Sequence, residues 1–193
     1  MDEIPLTNII TEGKKELPQN SLIRVRLGRV PETVTVDVKF PGQQQFVSYE
    51  SLPVDNGVVT LPIKLSFLSH AKEDVAFVRH VCGSLLNDGI LAWFDEKDLL
   101  PGDDGKSKID EAIEKSDYVV VFLSRYSTDK IGYFQRELKY ALEQQELRPQ
   151  GHRYIIPVLI DDCEPPRSLK AIHWLRSNGD SWYKKLVEAI RAK

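Results

Sequence analysis

The sequence predicts an α/β fold: a doubly wound, mostly parallel five-stranded sheet preceded by a small antiparallel β module. Three observations predict it. Strands and amphipathic helices alternate over residues 64–193, the grammar of a parallel sheet with helices on both faces. The run DYVVVFLS is continuously apolar, as a strand covered on both sides requires. Residues 21–63 instead alternate apolar and polar side chains in short runs between turn residues.

The first twenty residues have no firm hydrophobic period and read as a tail or arm, so the chain divides at 1–20, 21–63 and 64–193. Within the second segment LIRVRLG, TVTVDVKF, QQFVSYESL and GVVTLPI are strands, separated by RVPE, PGQ and VDN. Alternation in TVTVDVKF puts Val34, Val36, Val38 and Phe40 on one face. Four short strands bury little apolar surface, so this sheet is expected to pack on the next domain, a partner or another copy of itself.

In the third segment IKLSFLS is a strand, followed by an amphipathic helix with Val75, Val78, Cys82, Leu85 and Leu86 on one side. GILAWF is the next strand. The polar loop DEKDLLPGDDG leads into KSKIDEAIEKS, a helix with Ile109, Ala112 and Ile113 inward and acids at its start. After DYVVVFLS comes a helix over about 130–146, then the strand RYIIPVLID, where Pro157 suggests a bulge or edge-like break. A short apolar piece, IHWL, precedes a last helix whose Trp182, Leu186 and Ile190 share a stripe. In such sheets ligands bind beyond the carboxyl ends of the strands. Those ends are Ser69-His70, Asp95-Glu96, Ser124-Arg125 and Asp161-Asp162.

Bulk properties narrow the partners. The 193 residues are 41% hydrophobic and 28% charged with a formal net charge of −3, which makes no electrostatic case for nucleic acid or an anionic membrane. No apolar run approaches the ~18 residues that span a bilayer, and MDEIPLTNIITEGKKEL lacks a basic leader followed by a hydrophobic stretch. A cytoplasmic location is expected. Cys82 and Cys163 lie far apart without CxxC spacing and read as free thiols, while His80, His152 and His173 are scattered without metal spacing, so no metal is expected.

One carboxylate stands out. Glu137, in GYFQRELKY, has Tyr133, Phe134, Tyr140 and Ala141 at the helical spacings where a Lys or Arg would normally pair with it. On a helix it therefore lies in an aromatic and apolar row, where two arrangements are open: its methylenes cover the row while the carboxylate reaches water or a distant Arg, or reduced hydration raises its pKa.

Absent residues exclude several doubly wound proteins. FLSHAKED has no glycine to let backbone N–H groups approach a pyrophosphate, nothing matches the P-loop pattern, and a phosphorelay receiver would need acids where Ser69-His70 and Ser124-Arg125 stand. No GxSxG nucleophile elbow accompanies Ser69, His70 and Asp95. In order, FLSHAKED, FDEKDLLPGDD, VVVFLSRYS and YFQREL resemble the segments of a Toll/interleukin-1 receptor (TIR) domain over about 64–193, and specifically its prokaryotic-type, NAD-cleaving branch.

That resemblance implies an enzyme that cleaves the nicotinamide–ribose bond of NAD+, as a hydrolase or a cyclase, needing assembly for activity and acting in nucleotide signalling or antiphage defence. It implies NAD+ as substrate with no cofactor, and self-association through the TIR domain. Glu137 then takes the place of the catalytic glutamate that ends W-x-x-x-E, with Tyr133 where the family commonly has Trp. Tyr133, Ser69, His70, Lys72, Asp95 and Asp103 are the expected substrate-binding residues. Leu99, Leu100, Pro101, Gly102 and Gly105 correspond to the BB loop, which borders the cleft and mediates contacts between domains; Gly105 stands where many members carry a bulky side chain. For Asp103 and Asp104, helix capping competes with ligand contact. Two other functions stay open: a TIR–TIR interaction module without chemistry, and a nucleoside-deoxyribosyltransferase-like enzyme acting on free nucleosides.

Overall fold

The computed structural model describes residues 8–12, 16–19, 21–27, 33–41, 43–128 and 133–192, with the backbone alone for Asn8, Leu27, Glu96, Lys97 and Tyr133. The chain partitions into two compact units, Met1–Lys64 with Leu86–Ile90, and Leu65–Leu85 with Leu91–Lys193.

The first unit is a five-stranded sheet of β1 (Asn8–Thr11), β2 (Leu22–Leu27), β3 (Thr33–Lys39), β4 (Val47–Asp55) and β5 (Val58–Leu61), ordered β1-β5-β4-β3-β2. Neighbours from β2 to β5 pair antiparallel, and Asn56 and Gly57, both at positive φ, make the tight turn between β4 and β5. The segment without a firm period supplies β1, which pairs in parallel with β5. Four residues are too few for an alternation to register, so only pairing reveals the strand. Val34, Val36, Val38 and Phe40 are all buried. Asp37 is buried among them and is satisfied by two bonds from the Arg26 guanidinium, 2.8 and 2.9 Å, and one from Ser48 Oγ at 2.7 Å, which hold its pKa low.

The second unit is the expected parallel sheet. Its elements are β6 (Leu65–Ser69), α1 (Val75–Asn87), β7 (Leu91–Trp93), α2 (Asp95–Asp98), α3 (Gly105–Lys115), β8 (Tyr118–Leu123), α4 (Arg125–Thr128), α5 (Tyr133–Glu146), β9 (Ile155–Leu159), β10 (Leu175–Arg176) and α6 (Trp182–Arg191). The strand order is β10-β9-β8-β6-β7, every pair parallel. Because β7 lies on one side of β6 and β8 on the other, the winding reverses between β6 and β8. A crevice opens at the carboxyl ends of strands at such a reversal.

β8 is buried along its whole length. Val119, Val121 and Leu123 join Ile109 and Ile113 of α3 and Phe134, Leu138 and Ala141 of α5 in one core. Phe122 is fully buried and meets Phe77 edge-on at 5.9 Å. Phe122→Ala is expected to cost about 3–5 kcal/mol, read as a lower denaturant midpoint.

Pro157 does not break β9, contrary to the sequence expectation. Ile160 N–H bonds to β8 at the Leu123 carbonyl, while the Leu159 carbonyl accepts from Ser177 on the β10 side, so successive residues face opposite neighbours. Pro157, two before Leu159, therefore turns its missing N–H toward the β10 side, where pairing begins only at Val158. Among the described residues no helix is long and apolar enough to cross a membrane.

Candidate active site

Glu137 owes its position to the stripe it interrupts. Phe134, Leu138 and Ala141 pull one face of α5 into the core, and Glu137, adjacent to Leu138, is carried inward until it is only 8% exposed. Ser69, the last residue of β6, donates from Oγ to Glu137 Oε2 at 2.7 Å. Burial pushes the Glu137 carboxyl up to about 7, nearby Asp95 adds to this, and the Ser69 bond and Arg136 oppose it. The neighbouring Arg136 is engaged elsewhere: its Nη2 donates to both oxygens of Asp110, on α3, at 2.5 and 2.6 Å.

Glu137 lines a cleft of ≈ 630 Å³, within the size range of small-molecule sites. His70 and Lys72 border it after β6, Asp95 and Leu99 after β7, and Gly105 at the start of α3. The His70 ring is placed from three sides. Its Nδ1 is 3.0 Å from the Leu68 carbonyl, its Nε2 is 3.6 Å from Asp95 Oδ1, and it meets Phe94 edge-on at 5.9 Å.

The remaining sequence candidates fall in different places. Ser69 reaches the cleft through its bond to Glu137. Asp103 accepts from Leu100 N–H at 2.9 Å, closing the turn that precedes α3, and is not among the cleft-lining residues. Leu100 is 69% exposed at that turn, with Pro101 and Gly102 also exposed, and Gly102 has φ 99°, the left-handed region that favours glycine. Leu99 and Gly105 thus face the cleft, and the tip residues do not line it. A Cβ on Gly105 would meet only Leu99 Cδ1, at 3.9 Å, so a side chain has room there. Asp104 both lines the cleft and caps α3, accepting from Lys106 N–H at 3.2 Å and Ser107 Oγ at 2.5 Å. The Tyr133 ring lies outside what the structure describes.

Sequence reasoning missed Tyr126, Ser127, Lys106 and Phe134 of the cleft lining. The two hydroxyls three apart in Ser124-Arg125-Tyr126-Ser127 were a signal of a capped turn after β8, and that turn carries Tyr126. Among the described residues no group of three His, Cys, Asp or Glu could hold a metal ion.

A sequence model of the TIR domain family matches residues 67–191. The chain belongs to the TIR domain family. Its TIR domain superposes on that of the Toll-related receptor TRR-2 from Hydra magnipapillata with a TM-score of 0.57 at 23% identity, over 66% of this chain and 98% of that one. In sequence, the chain is 34% identical over 119 residues to the 2′ cyclic ADP-D-ribose synthase AbTIR of Acinetobacter baumannii, a stretch that is 59% of this chain and 42% of the relative. It is 40% identical over 65 residues to the NAD(+) hydrolase TcpC of Escherichia coli, 33% of this chain and 21% of that protein. The chain therefore spans less than half the length of each of these two curated relatives.

Proposed function

We propose that this TIR domain, taken as residues 64–193, cleaves the nicotinamide–ribose bond of NAD+, as a glycohydrolase or a cyclase, with Glu137 as the catalytic carboxylate. The observation that carries the reading is a buried carboxylate whose pKa burial lifts to about 7, lining a cleft at the carboxyl ends of the parallel strands. The names of the bacterial relatives, NAD(+) hydrolase and 2′ cyclic ADP-D-ribose synthase, support it.

When the glycosidic bond breaks, its electron pair goes to the nicotinamide nitrogen, which leaves neutral, and positive charge develops on the ribose. A carboxylate held in a poorly hydrated wall stabilises that charge more strongly than one in water. Water captures the cation in hydrolysis; a hydroxyl of the same molecule captures it in cyclisation. NAD+ supplies its own leaving group, so the chemistry calls for no separate cofactor. In this reading Ser69 orients Glu137, His70 and Asp95 shape the ribose subsite, Lys72 faces the phosphates, and Asp103 acts through the loop it closes. Tyr133 retains the aromatic role that the resemblance implies.

Self-association through the loop of Leu99, Leu100, Pro101, Gly102 and Gly105 belongs to the same proposal, supported by the exposed Leu100. So do a role in nucleotide signalling and antiphage defence and a cytoplasmic location, where NAD+ is at hand and Cys82 and Cys163 stay as the free thiols they are. The test is incubation of concentrated protein with NAD+, with released nicotinamide read by chromatography. Nicotinamide should appear with a rate per molecule that rises with protein concentration. Its absence, even after artificial clustering, would leave an interaction module in place of an enzyme.

A further inference from the structure

Among the described residues lining the cleft, three carry aromatic rings: His70, Tyr126 and Phe134. Phe134 is buried in the core, and the His70 ring is almost fully covered and committed to Phe94. Tyr126, on α4, is 44% exposed.

α4 has four residues, a single turn that has little stability of its own. Buried polar groups hold it. Ser124 Oγ donates to Asp74 Oδ2 at 2.6 Å and accepts from the N–H groups of Tyr126 at 3.1 Å and Ser127 at 3.3 Å. Ser124 N–H donates to Ser127 Oγ at 2.8 Å, and Ser127 Oγ donates back to the Ser124 carbonyl at 3.0 Å. Asp74, Ser124 and Ser127 are all buried. Asp161, beyond β9, accepts from Arg125 N–H at 3.1 and 3.2 Å, and Gln135 Nε2 donates to the Ser127 carbonyl at 2.9 Å. The last bond ties the turn to α5 two residues ahead of Glu137. Burying a carboxylate such as Asp74 is costly unless it is bonded, and here its bond goes to the hub of this turn.

We propose that Tyr126 is a substrate-contacting residue whose ring stacks on a flat heteroaromatic ring of the dinucleotide, and that Asp74 and Ser124 are positioning residues that hold that ring at the cleft. A turn whose backbone is already held by buried bonds loses little entropy when the ligand arrives. The inference rests on the reading that this cleft takes NAD+, and adds to it the residue that grips a ring and the buried cluster that aims it.

The test measures the affinity of NAD+, nicotinamide mononucleotide and AMP for the full chain carrying Glu137→Gln, which keeps NAD+ intact, alongside KM and kcat for nicotinamide release by the chain without that change. Tyr126→Ala is expected to weaken NAD+ binding about five- to hundredfold, the scale of base stacking on an aromatic side chain. Tyr126→Phe should leave it within about twofold, because the ring and not the hydroxyl makes the contact. Of the two mononucleotides, the one whose ring stacks should lose affinity with Tyr126→Ala and the other should not. Asp74→Ala and Ser124→Ala should raise KM with little change in kcat, and Asp74→Asn, which keeps an acceptor for Ser124, should restore most of the loss.

Unchanged NAD+ affinity in Tyr126→Ala overturns the stacking assignment, as does an equal loss in Tyr126→Phe. Unchanged KM in Ser124→Ala overturns the positioning role. If the chain releases nicotinamide and Tyr126→Ala leaves KM alone, the inference fails while the enzyme reading stands. If it releases none but binds NAD+ in a Tyr126-dependent way, the enzyme reading fails and the inference stands. No NAD+ binding at millimolar concentration sinks both.

Discussion

Glu137→Gln is expected to cut nicotinamide release by about 10²–10³-fold, the loss typical when a preorganised electrostatic group is removed from a reacting centre. The same change should make the protein more stable at alkaline pH. The sign follows from the raised pKa. In the folded chain Glu137 titrates near 7, against 4.5 for an ordinary glutamate, because burial disfavours its charge. Between those values the folded state holds a proton that the unfolded state has released, so stability falls as pH rises through that window. The gap is worth on the order of 3 kcal/mol at ~1.4 kcal/mol per pH unit. Glutamine has nothing to ionise. Thermal melts of the two proteins should coincide near pH 4.5 and separate in favour of Glu137→Gln above pH 7. Full activity in the variant would remove Glu137 from the mechanism, and melts that separate at acid pH instead would overturn its raised pKa.

The second large effect is on the pH profile of the reaction. If the ionised form of Glu137 carries the chemistry, nicotinamide release should climb with pH through about 7 and then level off. Two substitutions should move that inflection in opposite directions. Ser69 donates to the carboxylate and stabilises its charged form, so Ser69→Ala should shift the inflection upward by about one pH unit, given ~1.5 kcal/mol for a hydrogen bond to a charged group. Asp95 places a second negative charge nearby and raises the Glu137 pKa, so Asp95→Asn should shift the inflection downward. Near neutral pH the first variant then loses activity that it recovers at pH 9. Profiles recorded from pH 5.5 to 9 decide the matter, and inflections that stay put in both variants would show that another group titrates.

Much of the fold was legible because its signals are local. The unbroken apolar run of β8, the inward stripe of Ile109, Ala112 and Ile113 and the alternation of Val34, Val36, Val38 and Phe40 each follow from one element and its own period. Glu137 was conspicuous for the same reason, since the missing partners at helical spacing lie within one turn of it. β1 escaped notice because four residues hold no period, and Pro157 misled because whether a missing N–H matters depends on the strand opposite it.

The cleft was less legible. The partner of Glu137 is Ser69, 68 residues earlier in the chain, and the two meet only because β6 ends where α5 passes. For Asp103 the sequence left capping and ligand contact open, and only the structure shows its carboxylate accepting from Leu100 N–H, three residues before it. Tyr126 sits in a four-residue turn with no hydrophobic pattern to mark it, and its support comes from Asp74 and Asp161, on either side of it in sequence and far from it along the chain.

By itself the sequence determined the alternation of elements, the parallel sheet, the TIR resemblance and the singular carboxylate, all of which rest on short-range periodicity and motif order. The tertiary structure alone decided how deeply Glu137 is buried, which hydroxyl holds it and that Tyr126 of the cleft lining is partly exposed. Those quantities arise from dielectric environment and from contacts between distant segments, and a pattern along the chain carries no record of distance in space.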